Sequence, residues 1–232
     1  MKLVIQHKWD LTFPEARHLQ QELRSQVDVS TSLDISRIQI VAAADISYSR
    51  KGGDLFGVVV LLRFPELTLL AAYAHRMKVP FPYVPGYLSF REVPVLIPIF
   101  QQMEADFDVL LCDAQGIAHP RRFGLASHLG VLLDKPSVGC AKSRLVGDYR
   151  EPGPEKGDYT FLLDGEEPIG LVLRTRRGVK PLFVSPGHRT DFESARNITL
   201  ACVTRYRIPE PLRLAHRIVN TIRTQEREGT VS

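Results

Sequence analysis

Val109-Leu110-Leu111-Cys112-Asp113-Ala114-Gln115-Gly116-Ile117-Ala118-His119-Pro120 decides how the chain is read. It opens as a continuous apolar run, the mark of a strand buried on both faces. The run stops on a carboxylate, and a small glycine-containing turn, a histidine and the basic pair Arg121-Arg122 follow. In α/β proteins ligands bind beyond the carboxyl ends of the strands. A carboxylate there, with a basic run behind it, points to metal and phosphate chemistry. The plainer alternative is an aspartate that opens a turn or caps the next helix.

Upstream, Thr12-Phe13-Pro14-Glu15 has the form of a capping box, with proline tolerated in the first turn, and predicts a helix over Ala16 to Val27. Ile38 to Ala44 is an apolar strand that runs straight into Asp45. Arg50-Lys51-Gly52-Gly53-Asp54 reads as a hairpin turn, Leu55 to Phe64 as a second strand and Leu67 to Ala74 as a third. Three consecutive strands with short turns predict an antiparallel meander. Phe81-Pro82-Tyr83-Val84-Pro85-Gly86-Tyr87 cannot be regular structure, because its prolines fix φ and remove donors. Leu88 to Glu104 is helical in pattern, with Pro94 and Pro98 predicted to break or kink it near its start.

Downstream, Phe123 to Leu133 predicts a helix carrying His128, and Ser137 to Ala141 a short strand ending at Lys142. Gly147 to Asp158 reads as a surface loop. Ile169 to Arg174 and Leu182 to Val184 read as strands. Thr190-Asp191-Phe192-Glu193 is a second capping box, opening a helix through about Tyr206, and Pro211 starts a last helix that carries His216. This order predicts an α/β fold, one mixed sheet flanked by helices, in a single domain of 232 residues.

Hydrophobic residues at 44% and charged residues at 24% are globular values. A formal net charge of +4 permits a nucleic-acid partner without demonstrating one. Cys112, Cys140 and Cys202 are far apart and odd in number, which predicts buried free thiols in a reducing compartment. No signal peptide or membrane-length run is visible, so the expected setting is the cytoplasm, with no membrane partner.

Three acids are the candidates for that chemistry, although any chain of this length has several acids at strand ends. Asp45 and Asp113 each close a strand, and Glu92 lies near the start of a helix that could cover the same sheet edge. Convergent carboxylates repel, so they normally share a cation. All-oxygen ligands suit Mg²⁺ or Mn²⁺, and such sites cleave phosphodiesters. Lys142 and Arg144, then Arg174, Arg176, Arg177, Lys180, His188 and Arg189, supply positive charge that sequence alone cannot place beside the acids. Pro82-Tyr83-Val84-Pro85 is either a stiff loop packed on the core or a prong that could wedge between bases.

Taken together, these segments resemble the endonuclease V family. The likeness rests on Ala43-Ala44-Asp45-Ile46-Ser47, Phe81 to Gly86, Leu88-Ser89-Phe90-Arg91-Glu92, Asp113 to Arg122, and Gly124 to His128. It continues through Gly139 to Leu145, Pro181 to His188, and Arg207 to Pro211 leading to Ala215-His216. The resemblance implies a ribonuclease H-like fold. It further implies a metal-dependent nick at the second phosphodiester 3′ to a deaminated base, chiefly hypoxanthine, leaving 3′-hydroxyl and 5′-phosphate ends. Mg²⁺ would be the cofactor, with Mn²⁺ as substitute. By motif, Asp45, Glu92 and Asp113 would bind metal, Lys142 would contact the phosphate near the cut, and His216 would orient water or assist proton transfer. Tyr83, flanked by Pro82, Val84 and Pro85, would be the wedge. Gly86, Leu88, His119, Gly124 and Leu125 would line the pocket for the extruded base. Ala114 stands where the family often has glycine, and its methyl could narrow that pocket. The expected partner is DNA containing deaminated bases, or inosine-containing RNA by the same chemistry, with the protein a monomer. A module that binds lesions without cutting is the other class; the complete set of acids with Lys142 and His216 speaks against it.

Overall fold

The run Val109–Cys112 is strand β4 of an eight-stranded sheet in the computed structural model, which describes residues 1–49 and 53–228. Its neighbours are β1 (Ile40–Tyr48) and β5 (Ser137–Ala141), and both pair with it in parallel. β1 continues antiparallel into β2 (Asp54–Arg63) and β3 (Thr68–Lys78), the expected meander; the turn expected at 50–54 lies mostly outside the described residues. On the other side β5 pairs antiparallel with β8 (Leu182–His188), followed by β7 (Glu167–Leu173) and β6 (Tyr159–Asp164). The order is β3-β2-β1-β4-β5-β8-β7-β6. An antiparallel meander joined to two parallel strands and flanked by helices is the ribonuclease H-like arrangement.

Side-chain alternation in β1 sends Ala42 and Ala44 to one face and Val41 and Ala43 to the other. The first face packs against α2 (Leu88–Gln102) and α3 (Leu125–Leu133) through Val93, Leu96, Phe100 and Leu129. The second packs against α4 (Phe192–Ala201) and α5 (Glu210–Glu228) through Ile198, Leu212, Ala215 and Val219. The first helix, α1 (Phe13–Arg24), is closed by the predicted box: the Thr12 amide and hydroxyl donate to Glu15 Oε2 at 2.7 and 2.6 Å. Cys112, Cys140 and Cys202 are buried free thiols, as expected.

Several expectations need correction. Asp45 does not end its strand: β1 runs on to Tyr48, because Asp45, Ile46, Ser47 and Tyr48 stay paired with Val58 to Leu55 of β2. Pro94 and Pro98 do not break α2, which remains one helix. A helix-interior proline costs about 3 kcal/mol, and the burial of Val93, Val95, Leu96, Ile99 and Phe100 against the sheet offsets it. The cap of α4 is Asp191, which accepts from the Ser194 amide at 2.7 Å, while the Thr190 hydroxyl donates to the His188 carbonyl; the helix ends at Ala201, short of Tyr206. β6 had no counterpart in the strand reading, although Asp164-Gly165, with Gly165 at φ +64°, is a hairpin signal directly after it.

Candidate active site

Parallel pairing of β1 with β4 stops at Ala44 opposite Cys112. The next residue on each strand is an aspartate, so Asp45 and Asp113 stand side by side where the two strands part. Odd-numbered residues of β1 face α5. There Asp45 Oδ2 accepts from His216 Nδ1 at 2.8 Å, and the Ser47 hydroxyl donates to Asn220 Oδ1 at 3.2 Å. Asn220 Nδ2 donates to the His216 carbonyl at 2.8 Å and lies 3.1 Å from Nε2. A carbonyl only accepts, so the amide orientation is fixed, Nε2 is the accepting nitrogen, and the proton sits on Nδ1 facing Asp45.

Even-numbered residues of β1 face α2. Tyr48 donates to Glu92 Oε1 at 2.5 Å, and the Arg91 guanidinium sits 5.0 Å over the Tyr48 ring. Asp45, Glu92 and Asp113 together line a hollow of about 100 Å³. Ligand atoms of Asp45 and Asp113, from this hollow, and of His216 beside it lie within 4.8 Å of one another. Burial, and then the Asp113 charge, raise the Asp45 carboxyl above its usual range against the pull of the His216 bond. Burial pushes Glu92 up to about 7, with Asp45 adding repulsion and the Tyr48 bond opposing. Lys142 reaches from the end of β5 to ion-pair with Asp113 Oδ2. Asp45 and Asp113, with Glu92 behind them and the His216 imidazole alongside, form a set of oxygen donors that fits a hard divalent cation.

A second cavity of about 370 Å³ opens beside the hollow and shares Leu88, Asp113, Ala114 and Leu125 with it. Tyr83, Val84, Pro85, Gly86, His119, Gly124 and Lys142 line the rest, with Gln115 and Arg144. Every residue assigned to the base pocket by motif is therefore brought together; Pro82 alone of the prong stays outside, exposed to solvent. Tyr83 stands out at 68% exposed. The prong is held at its base. Gly86, at φ +80°, has its carbonyl bonded by Gln20 Nε2 at 3.2 Å and by Arg121, whose guanidinium a Cβ at Gly86 would strike. His119 adds a further contact to the Gly86 carbonyl, and its Nδ1 accepts from the Arg121 amide at 3.1 Å. Burial, and then Arg121, push its imidazole down to about 4, so it is neutral. Gly124 permits another close approach: a Cβ there would lie 2.3 Å from the Gln115 carbonyl, on the turn after Asp113.

A model of the endonuclease V family matches residues 21–217. The chain belongs to the endonuclease V family. It is 49% identical over 210 residues to endonuclease V of Methanothrix thermoacetophila, covering 90% of this chain and 92% of the relative. The fold superimposes on crystal structures of endonuclease V from Bacillus subtilis (TM-score 0.94, 30% identity, 99% and 100% of the two chains) and Streptomyces avermitilis (0.91, 38%, 97% and 99%). A Ciona intestinalis endonuclease V, solved with a DNA containing an inosine followed by a ribo-adenosine, matches at TM-score 0.81 and 28% identity, over 93% and 99% of the chains. Members of this family are nucleases that act on phosphodiester bonds with a divalent metal, and the Asp45–Asp113–His216 group is the candidate place for one here. No helix among the described residues is long and apolar enough to cross a membrane.

Four polar residues of this endonuclease V site were given no role in the sequence reading, although Ser47 and Arg207 stand in segments that carry the resemblance. Ser47, Tyr48 and Asn220 orient the acids and the histidine. Arg207, which donates to the Lys142 carbonyl at 2.9 Å, braces the lysine. Only Ser47 and Tyr48 had a usable signal: had the strand been extended past Asp45, strict alternation would have aimed them at α5 and α2. Of the remaining basic residues, Arg174 is buried and bonded to backbone carbonyls, and His188 and Arg189 pair with Asp134, away from the acids.

Proposed function

We propose that this endonuclease V recognises hypoxanthine in DNA and nicks the second phosphodiester on its 3′ side, leaving 3′-hydroxyl and 5′-phosphate ends, as a step of DNA repair. The observation that carries the reading is the shared wall: Leu88, Asp113, Ala114 and Leu125 separate a base-sized cavity from the acid hollow, so a captured base holds its own backbone beside the acids. Mg²⁺, or Mn²⁺ in its place, held by Asp45 and Asp113 with Glu92 behind them, would activate water and stabilise the leaving oxygen. Lys142, ion-paired with Asp113, would contact the phosphate near the cut. His216, with its proton fixed on Nδ1, offers Nε2 to the attacking water once Asn220 yields its contact. Tyr83 fills the gap left when the base leaves the stack.

Neutral His119 fits recognition of a neutral base. A carboxylate there would repel the phosphates, and an imidazolium would attract any backbone indiscriminately. Inosine-containing RNA is a second reading, favoured by one observation: the Ciona relative was solved on a strand whose inosine is followed by a ribonucleotide. The test is a labelled duplex with a single deoxyinosine, incubated with Mg²⁺ and with EDTA, beside a matched inosine RNA. One nick at the second bond 3′ to the lesion, only with Mg²⁺, is the expected result. Equal cutting of inosine-free duplex would overturn it, and preference for the RNA would establish the second reading.

A further inference from the structure

A larger cavity, about 530 Å³, lies on the far side of Lys142 from the base pocket. Its wall combines Lys142, Tyr149, Lys180 and Phe183 with Arg174 and Val179. Tyr149 is 38% exposed and stands edge-on to Phe183, ring centroids 5.4 Å apart. Arg144, which lines the base pocket, carries its guanidinium 5.9 Å from the Tyr149 ring. Lys142 lines both cavities and is the residue they share. Arg174 is not available to a ligand. Its guanidinium is buried and spent on the carbonyls of Pro152, Gly153 and Val179 and on Glu151, an acid of this wall whose charge it neutralises. Lys180 is exposed, and no carboxylate partners it among the described residues. What remains open is the exposed part of the Tyr149 ring beside the unpaired ammonium of Lys180, in a groove joined to the base pocket at Lys142, which pairs with Asp113.

Resting on the reading that the neighbouring cavity takes a flipped base, we propose that this groove is a second nucleotide subsite. Tyr149 stacks on the base of a nucleotide flanking the flipped one in the same strand, and Lys180 holds that nucleotide's phosphate. A base presents a π-face whatever its sequence, so the subsite adds grip without adding sequence preference. It also keeps the backbone stretched across Lys142, where the cut is made.

The test is binding of a short labelled single strand with one deoxyinosine, with Ca²⁺ in place of Mg²⁺, followed by anisotropy. A series of the same strand carries an abasic residue at each of two positions on either side of the inosine. For wild type, one flanking position is expected to weaken binding by about fivefold, the low end of what base–aromatic stacking contributes. Tyr149→Ala loses the same factor on the intact strand and nothing further at that one position, while Tyr149→Phe retains wild-type affinity. Lys180→Ala lowers the slope of log affinity against log salt by about 0.7, the share of one phosphate contact on a single strand. Wild-type affinity in Tyr149→Ala, or a loss repeated undiminished at every abasic position, overturns the proposal. Removal of the inosine itself without effect on wild type would instead overturn the base-pocket reading, and the flanking positions would still report on the groove.

Discussion

The acid hollow and the prong beside it meet at Leu88 yet are built in opposite ways. Asp45 sits within β1 and Asp113 directly after the parallel β4, Asp45 only 7% exposed, their separation fixed by sheet register and by bonds to His216 and Lys142. Tyr83 hangs on irregular chain, 68% exposed, and the order around it comes from below, where Gln20, His119 and Arg121 converge on the Gly86 carbonyl. Charge crowded on a rigid frame suits a reaction that needs fixed positions. A stiff tip on a clamped stalk suits a contact made anew with each substrate. The two regions should therefore fail in different ways: damage to the hollow abolishes turnover and spares binding, whereas damage to the prong shows only where a duplex has to be opened.

The sharpest break is Asp113→Asn. Loss of this carboxylate is expected to lower cleavage on the order of a thousandfold, since a bound metal contributes several kcal/mol to the transition state. Binding of a deoxyinosine duplex in a gel-shift assay should stay near wild type. Cutting at the wild-type rate under saturating Mg²⁺ would remove Asp113 from the metal site.

Tyr48→Phe comes next. It takes away the hydroxyl that holds Glu92 Oε1 at 2.5 Å and leaves the packing intact. Outer-shell partners of metal ligands are worth about 10–100-fold in affinity, and Mn²⁺ titration followed by electron spin resonance should show a loss in that range. An unchanged Mn²⁺ affinity would mean that Glu92 is held by α2 alone.

A tenfold effect is expected from pH. Glu92 is raised to about 7 and Asp45 is raised as well, so below neutrality a cation must displace protons to bind. Mg²⁺ affinity should climb by up to about tenfold per pH unit as pH approaches 7 and then level off, since one displaced proton is one decade per unit. Stability carries the opposite sign. An acid whose folded pKa is raised binds more protons folded than unfolded between its ordinary value and about 7. Without metal, that group lowers stability as pH rises through this window. Melting curves with and without Mg²⁺ at pH 5.5 and 8 should therefore diverge most at pH 8, and equal shifts at both would refute the crowding.

Tyr83→Ala should weaken cutting of duplex deoxyinosine about tenfold more than cutting of the single strand, because the wedge offsets part of the few kcal/mol needed to unstack a base. Equal losses on both substrates would make Tyr83 a packing residue. The smallest change is Ala114→Gly. Ala114 lies on the wall common to both cavities. Removing its methyl should raise the ratio of xanthine to hypoxanthine cutting about a few-fold by relaxing the fit to the extra O2, below the roughly 1–3 kcal/mol that a whole methylene is worth in a pocket. A constant ratio would place the methyl away from the base.

The same contrast explains what could be read in advance. Asp113 was legible because one apolar run ends on it, and the prong because two prolines in four residues leave few conformations. Asp45 was found but misplaced at a strand end, since the next residues, Ile46 to Tyr48, alternate in polarity while still pairing with β2. For α2 a break or a kink was expected, and the break is absent, because local proline chemistry is visible in sequence and the sheet that holds the helix together is not. Asn220 meets Ser47 across 173 residues and Tyr48 meets Glu92 across 44; single polar residues with distant partners leave no local pattern. Lys142 was legible beside its strand, yet Arg207, which braces it, comes from the far end of the chain.

That long reach has a consequence during synthesis. His216 and Asn220 belong to α5, the last element described, while Asp45 leaves the ribosome 171 residues earlier than its histidine. At about 5–20 residues per second, translation between the two takes on the order of ten seconds or more. Throughout that interval the nascent chain, tethered to a messenger RNA and surrounded by ribosomal RNA, carries the acids without the imidazole that completes the set. The bond between Asp45 and His216 therefore forms only after α5 has been made, late in synthesis.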